Sequence, residues 1–246
     1  MKDGIFTVIS NKKIANGVFK TELSGDTSAI KKPGQFVNFA IEGLYLRRPV
    51  SVCDVADGRL TIIYKTVGKG TAKMAEAAPG EAFKVLTGLG NGYDLEKAGE
   101  KPLLIGGGVG VPPLYYLAKE LVKKGAKPVA VLGFNSVADV FYEEEFKKAG
   151  CETAVTTVDG SYGLKGFVTD ALPQEYTHFY TCGPLPMLKA VFRQTKTGGQ
   201  FSLEERMGCG FGACMGCSCR TITGYKRICR EGPVLEKEEI LWAERI

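Results

Sequence analysis

The segment RMGCGFGACMGCSC, Arg206 to Cys219, sets the tightest limit on how this chain can fold. It packs four of the chain's 8 cysteines into eleven residues, with glycine at positions 208, 210, 212 and 216. Glycine removes side chains where a backbone must curl closely and turn its N–H groups inward. Cys209, Cys214 and Cys217 stand in C-x4-C-x2-C spacing and Cys229 follows at a distance, the ligand spacing of a plant-type 2Fe–2S cluster. Such a cluster takes four thiolates: a tight loop wraps three, and the fourth comes from elsewhere in the chain. Inward N–H groups then hydrogen-bond the sulfurs and tune the potential. A structural zinc site also takes four cysteines, usually as two C-x2–4-C pairs; the wider gap and the glycine density here favour iron–sulfur. Inert buried thiols are the third reading. Cys219 competes with Cys229 as fourth ligand, but so close to Cys217 it would crowd the loop, and Cys229 is assigned.

The N-terminal MKDGIFTVIS lacks the sustained apolar run of a secretory signal. Pro102 to Ala118, broken by four glycines and three prolines, is too short to span a bilayer. The expectation is a cytoplasmic protein whose cysteines are ligands or buried hydrophobes rather than disulfides. With 32 basic against 27 acidic residues and no long run of like charge, neither nucleic acid nor a membrane is an expected partner.

Three regions separate by pattern. Residues 1–99 carry short alternating runs, GIFTVIS, GQFVNFAI, PVSVCDV and LTIIYKTV, bounded by Gly, Pro, Asn or Asp, which predict a small antiparallel β-barrel. Residues 100–199 alternate apolar strands (PLLIGGG, KPVAVLGF, CETAVTTV, HFYTCG) with helical stretches (VPPLYYLAKELVKKG, DVFYEEEFKKAG, PLPMLKAVFRQT). GFVTDAL reads as a further short helix. That alternation predicts parallel βαβ units and a doubly wound α/β sheet. Residues 200–246 hold the cysteine-rich subdomain, and the short GQFSLEE from Gly199 leads into it.

In LLIGGGVGVPPLYYLAKE, Gly106, Gly107, Gly108 and Gly110 lie between a strand and a helix. Glycines there admit a pyrophosphate close to the backbone, and the helix N-terminus favours the anion. Pro112 and Pro113 suit the first helical turn. The run departs from G-x-G-x-x-G, since Val111 stands near the third glycine position, and a tight turn without a ligand is the competing reading. Ligands of doubly wound sheets gather at the carboxyl ends of strands, so Cys182, Gly183 and Pro184 of TCGPLPM are expected to face the same crevice. Asn135, Ser136 and Val137 after VAVLGF include no arginine for a 2′-phosphate, which tilts the reading toward NADH.

In YLRRPVSV, Arg48 offers a guanidinium for a pyrophosphate, with Pro49 and then the Ser51 hydroxyl for a flavin edge. Ile63, Tyr64 and Lys65, followed by Gly70 and Thr71 in a Gly-Thr turn, are expected to form a cradle of aromatic and phosphate-binding groups. A β-hairpin with ordinary surface arginines is the alternative.

RPVS, GKGT, GGGVGVPP and CGPLPM occur in the order seen in the ferredoxin–NADP reductase superfamily. With the tail ERMGCGFGACMGCSC…CREGPV, the chain from Pro33 to Glu231 resembles the electron-transfer (PyrK-type) subunits of the NAD-dependent, class 1B dihydroorotate dehydrogenases. The resemblance implies FAD on Arg48, Pro49, Val50 and Ser51, on Ile63 to Lys65, and on Gly70 and Thr71. It implies the 2Fe–2S cluster on Cys209, Cys214, Cys217 and Cys229, beside the NAD residues expected from the glycine loop and the strand ends, Gly107, Gly108, Gly110, Cys182, Gly183 and Pro184. It also implies an FMN-containing catalytic subunit as partner, in a heterotetramer with two of each chain, serving pyrimidine (UMP) biosynthesis. Cys219 is a thiol that the four-ligand scheme does not require.

Nicotinamide exchanges electrons in pairs and an iron–sulfur cluster takes them singly, so a flavin must stand between them. The expected order is partner FMN, cluster, FAD, NAD+. No side-chain acid or base is demanded, and His178, the one histidine, is expected to be structural. Two other readings fit the motifs: the small flavin subunit of another NAD(P)H–ferredoxin or hydrogenase-type complex, and a colourless, zinc-stabilised binding module.

Overall fold

The computed structural model describes residues 1–242. Six strands close an antiparallel barrel: β1 (Lys2–Ala15), β2 (Val18–Ser24), β3 (Phe36–Phe39), β4 (Arg48–Ala56), β5 (Arg59–Lys65) and β6 (Ala82–Leu89), in the order β1-β2-β5-β4-β3-β6. Local chemistry drives the pairing. Asp57 and Gly58 between β4 and β5 both have positive φ, 51° and 71°, the turn whose twist matches a hairpin. Alternate residues then point inward. Val37, Phe39, Val50, Val52, Ile62 and Tyr64 fill the barrel, while their neighbours Phe36, Cys53 and Ile63 face other parts of the molecule. Helix α1 (Lys69–Glu76) bridges β5 and β6.

The second layer is built on β7 (Leu103–Gly107), α2 (Val111–Lys123), β8 (Val129–Phe134), α3 (Glu143–Lys148) and β9 (Glu152–Thr157). β10 (Leu164–Lys165), β11 (Phe179–Cys182), α4 (Leu185–Gln194) and β12 (Gly199–Ser202) complete its parallel part. Gly125, with φ of 86°, ends α2 as its position in the sequence requires. GFVTDAL forms a single 3₁₀ turn over Val168–Ala171, and α3 covers only the last part of DVFYEEEFKKAG. In the cysteine-rich region β13 (Ser218–Thr221) and β14 (Gly224–Arg227) form a hairpin, and β15 (Val234–Glu236) pairs antiparallel with β12. The large sheet therefore runs β10-β9-β8-β7-β11-β12-β15. The connection from β7 leads to β8 on one side, and the chain returns to β11 on the other, so the topological switch point lies between β7 and β11.

Three joints unite the regions. Helix α2 lies against β4, where Lys119 meets Asp54 at 2.7 Å with both side chains largely covered. Asn91, just after β6, donates to the carbonyls of Glu231 and Val234 and accepts from the Val234 N–H. Phe36 and Leu89 of the barrel share a core with Leu103, Phe179 and Phe201 of the sheet and Cys217, Cys219 and Cys229 of the tail. Among the described residues, no helix is long and apolar enough to cross a membrane.

Candidate redox and nucleotide sites

At the switch point the two glycine segments meet. A Cβ on Gly110 would stand 2.3 Å from the Cys182 carbonyl oxygen, and one on Gly107 would stand 2.5 Å from Met187 Sδ and 3.1 Å from Pro184 Cδ. Only glycine allows the β7–α2 loop to nest against the β11–α4 loop in this way. Their edges open onto a cavity of about 670 Å³ lined by Gly107, Gly108, Gly110, Gly183 and Pro184. Cys182 lies behind this wall, 2 % exposed, and burial pushes its thiol up to about 12, so it presents its backbone rather than a nucleophile. Lys65 of the barrel lines the same cavity, which places a residue of the flavin set beside the nicotinamide set. Asp139, absent from the sequence reading, also lines it, held by Ser136 Oγ donating to its Oδ2 at 3.0 Å. The signal was present: an acidic residue shortly after the second strand of a βαβ unit is where a ribose hydroxyl is bound.

The flavin set gathers around Arg48. A Cβ on Gly70 would fall 2.2 Å from Arg48 Nε, so the missing side chain makes the room in which the guanidinium lies. Gly70 and Thr71 are in the first turn of α1, not in a free Gly-Thr turn; Thr71 Oγ1 accepts from the N–H groups of Val67 and Gly68 and caps that turn. Arg48 donates to the carbonyls of Leu46 and Arg47 and forms no ion pair among the described residues, which leaves its charge for an anion. Pro49 and Ser51 lie on the face of β4 shared with Asn38 and Phe36 of β3, whereas Val50 packs into the barrel. Tyr64 turns the same way as Val50: its ring stacks on Phe19 with centroids 6.3 Å apart, and its hydroxyl contacts Thr21. Ile63 faces the joint with α2.

The four thiols form two pairs. The N–H groups of Ala213 and Cys214 point at Cys209 Sγ at 3.3 and 3.4 Å, and that of Cys209 points at Cys214 Sγ at 3.4 Å. Deeper in, the Cys229 N–H points at Cys217 Sγ at 3.4 Å. Burial raises the Cys209 thiol, but the N–H groups of Phe211, Cys214 and Ala213 and the Cys214 thiol outweigh it and leave Cys209 at about 6. Burial, then Cys217 and Cys209, push Cys229 up to about 12. Donors aimed at sulfur and two thiols for each of two irons suit a binuclear cluster. No three His, Cys, Asp or Glu side chains among the described residues converge on a single-ion site. Cys219 sits on β13 in the apolar core, 8 % exposed. Arg227, which the sequence reading passed over, ties the loop down: it donates to the Gly212 carbonyl at 2.6 Å and pairs with Glu231.

Comparison with known proteins identifies the family. Residues 204–241 match the iron-sulfur cluster binding domain of dihydroorotate dehydrogenase B, and residues 104–193 match the oxidoreductase NAD-binding domain. The chain is 46 % identical to a dihydroorotate dehydrogenase B (NAD(+)) electron transfer subunit of Geobacillus sp. (strain WCH70), over 98 % of this chain and 99 % of that one. It is 47 % identical to the corresponding subunit of Bacillus caldolyticus, over 96 % and 97 %. Among solved structures, it superposes on an NADH-dependent reduced ferredoxin–NADP oxidoreductase with a TM-score of 0.88 and 30 % identity, over 97 % of this chain and 90 % of that one. The FAD/NAD-binding domain of a Vibrio cholerae nitric oxide dioxygenase shares the fold alone, at TM-score 0.67 and 23 % identity.

Proposed function

This chain belongs to the electron transfer subunits of NAD-dependent dihydroorotate dehydrogenase B, with FAD, a 2Fe–2S cluster and NAD as cofactors, and from that premise we propose how its residues divide the work. Relatives of this kind at 43–47 % identity, against 30 % for the ferredoxin–NADP oxidoreductase, favour it over the alternative of another NAD(P)H–ferredoxin complex. Between a two-electron nicotinamide and a one-electron cluster, the flavin supplies the conversion.

Arg48 neutralises the flavin diphosphate in the space that Gly70 leaves, and Ser51 offers its hydroxyl to the ring edge. Gly107, Gly108, Gly110, Gly183 and Pro184 shape the nicotinamide cavity, and Lys65 stands where that cavity borders the barrel. Cys209 and Cys214 hold one iron and Cys217 and Cys229 the other, while Cys219 lies in the apolar core. The three regions 1–99, 100–199 and 200–246 carry flavin, nicotinamide and cluster respectively. The partner is the FMN-bearing catalytic subunit, two of each chain assemble, and the complex works in the cytoplasm.

The meeting of Lys65 with the glycine loops in one cavity carries this reading, since it sets a flavin-side residue against the nicotinamide site. The test is co-purification with the catalytic subunit, then iron, flavin and native-mass analysis and an assay of dihydroorotate-dependent NAD+ reduction. Two irons and one FAD per chain, a mass of two plus two, and NADH formation are expected. A colourless protein holding one zinc, or a complex that reduces ferredoxin but not NAD+ from dihydroorotate, would refute it.

A further inference from the structure

Asn38 is the most deeply buried carboxamide among the described residues, 1 % exposed, yet its Oδ1 has no hydrogen-bond partner. The large majority of buried side-chain polar atoms in native proteins are hydrogen-bonded, so a buried carboxamide with an unpaired oxygen calls for a reason. Its surroundings supply one. In β3, Asn38 lies directly across from Pro49, within the segment assigned to the flavin. Its Nδ2 donates to the carbonyl of Cys209 at 3.4 Å. Gly210 permits the approach: a Cβ there would stand 2.3 Å from Asn38 Nδ2, and its φ of 77° is one that glycine adopts freely. The backbone carbonyl of Asn38 also accepts from Arg47 Nη1 at 3.2 Å, which ties the residue before Arg48 to the same point.

The strand's alternation makes this a junction. Val37 and Phe39 point into the barrel, while Phe36 enters the core that contains Cys217 and Cys229 and Asn38 meets the Cys209 end of the loop. One face of β3 thus bonds the loop backbone at Cys209 and shares a core with Cys217 and Cys229, while its ladder partner β4 presents Arg48 to Ser51. We propose that Asn38 is the positioning residue that locks the cluster loop against the flavin-bearing strand and so fixes the separation and orientation of the two redox centres. The assignment rests on the reading given under Proposed function.

The test uses the complete complex with its catalytic subunit. Asn38→Leu removes donor and acceptor at similar volume; Asn38→Asp keeps the shape but sets an acceptor against the Cys209 carbonyl. NADH gives up two electrons and a proton as hydride and leaves as NAD+, and electrons then pass to the cluster one at a time, so rapid mixing with NADH separates flavin reduction from cluster reduction. In both variants, at full iron and flavin content, flavin reduction stays within about twofold of wild type, because the nicotinamide contacts are untouched. Cluster reduction slows by about tenfold or more, the loss seen when outer partners of metal ligands are removed, and the electron paramagnetic resonance g-values of the reduced cluster shift. Should Asn38→Leu fail to load its cofactors, the isosteric Asn38→Asp carries the test. Unshifted g-values with cluster reduction at the wild-type rate would overturn the assignment, as would equal slowing of both phases. A wild-type complex whose cluster is not reduced by NADH at all would overturn the underlying reading instead.

Discussion

Asp139 is a residue whose role depends on where the fold carries it. In sequence it is one acidic residue among 27 Asp and Glu; in the structure it lines the cavity beside Gly107 and Gly108, steered by Ser136. A carboxylate there accepts from a ribose hydroxyl and repels a 2′-phosphate, in keeping with the tilt toward NADH read from Asn135, Ser136 and Val137. Asp139→Ala is expected to raise KM for NADH by about 10- to 100-fold with kcat little changed, since a hydrogen bond to a charged group contributes about 1.5–3 kcal/mol. Steady-state kinetics with NADH and NADPH checks this, and the preference between the two should narrow. His178 is 7 % exposed, stacks on Phe179 and meets Tyr180 edge-on, and burial lowers its pKa from 6.5. A base neutral in the folded state and protonated in the unfolded one makes stability full above pH 6.5 and erodes it as pH falls below that value. Thermal unfolding from pH 7.5 down to about 5 should therefore lose less stability in His178→Gln than in wild type, whatever the other groups contribute to both.

At the scale of elements, period and punctuation made most strands and helices readable, and contacts remote in sequence decided the rest. β7, α2, β8, β9, β11 and α4 fall where apolar runs and glycine stops placed them. β2, β6 and β15 are bordered by glycine or proline as well, at Gly17 and Gly25, Gly80 and Gly90, and Pro233, but charged residues interrupt their short apolar runs, and barrel closure and the sheet edge supply their partners across the chain. Gly70 and Thr71 begin α1 because Thr71 caps its own turn, a local bond that a Gly-Thr pair does not advertise. The glycine loop and the Cys182–Pro184 segment were legible as facing one crevice, but their direct contact was not, and that contact gives the loop its shape. Gly110→Ala would drive a methyl into the Cys182 carbonyl, and overpacking of this sort costs about 1–3 kcal/mol. The expected outcome is NADH affinity weakened by about 5- to 100-fold, with flavin and iron content unchanged. Titration calorimetry beside cofactor analysis reads both at once.

At the scale of the whole molecule, the thiol region is built into the nucleotide sheet rather than hung from it. β15 zips onto β12 through Gln200–Glu236, Phe201–Leu235 and Ser202–Val234, and Lys237 reaches the Thr195 carbonyl at 2.5 Å beyond the end of α4. The cysteine spacing announced a ligand set; it could not announce that two of the four thiols are also core residues. Cys217 and Cys229 are each 2 % exposed and pack with Phe201 and Leu235, whereas Cys214 lies at the solvent rim. Replacing either Cys214 or Cys229 by serine should abolish the cluster, since each removes one of four thiolates. Only Cys229→Ser also buries a hydroxyl among apolar neighbours, at a cost of about 1–3 kcal/mol. Both variants should keep flavin and reduce it with NADH, because neither site touches the nicotinamide cavity. Calorimetry on the two cluster-free proteins should place Cys229→Ser below Cys214→Ser by about 2–4 °C for each kcal/mol of that cost. If the two melt together, the buried thiol pair adds nothing to the sheet's core, and β15 is what joins the cluster region to the nucleotide sheet.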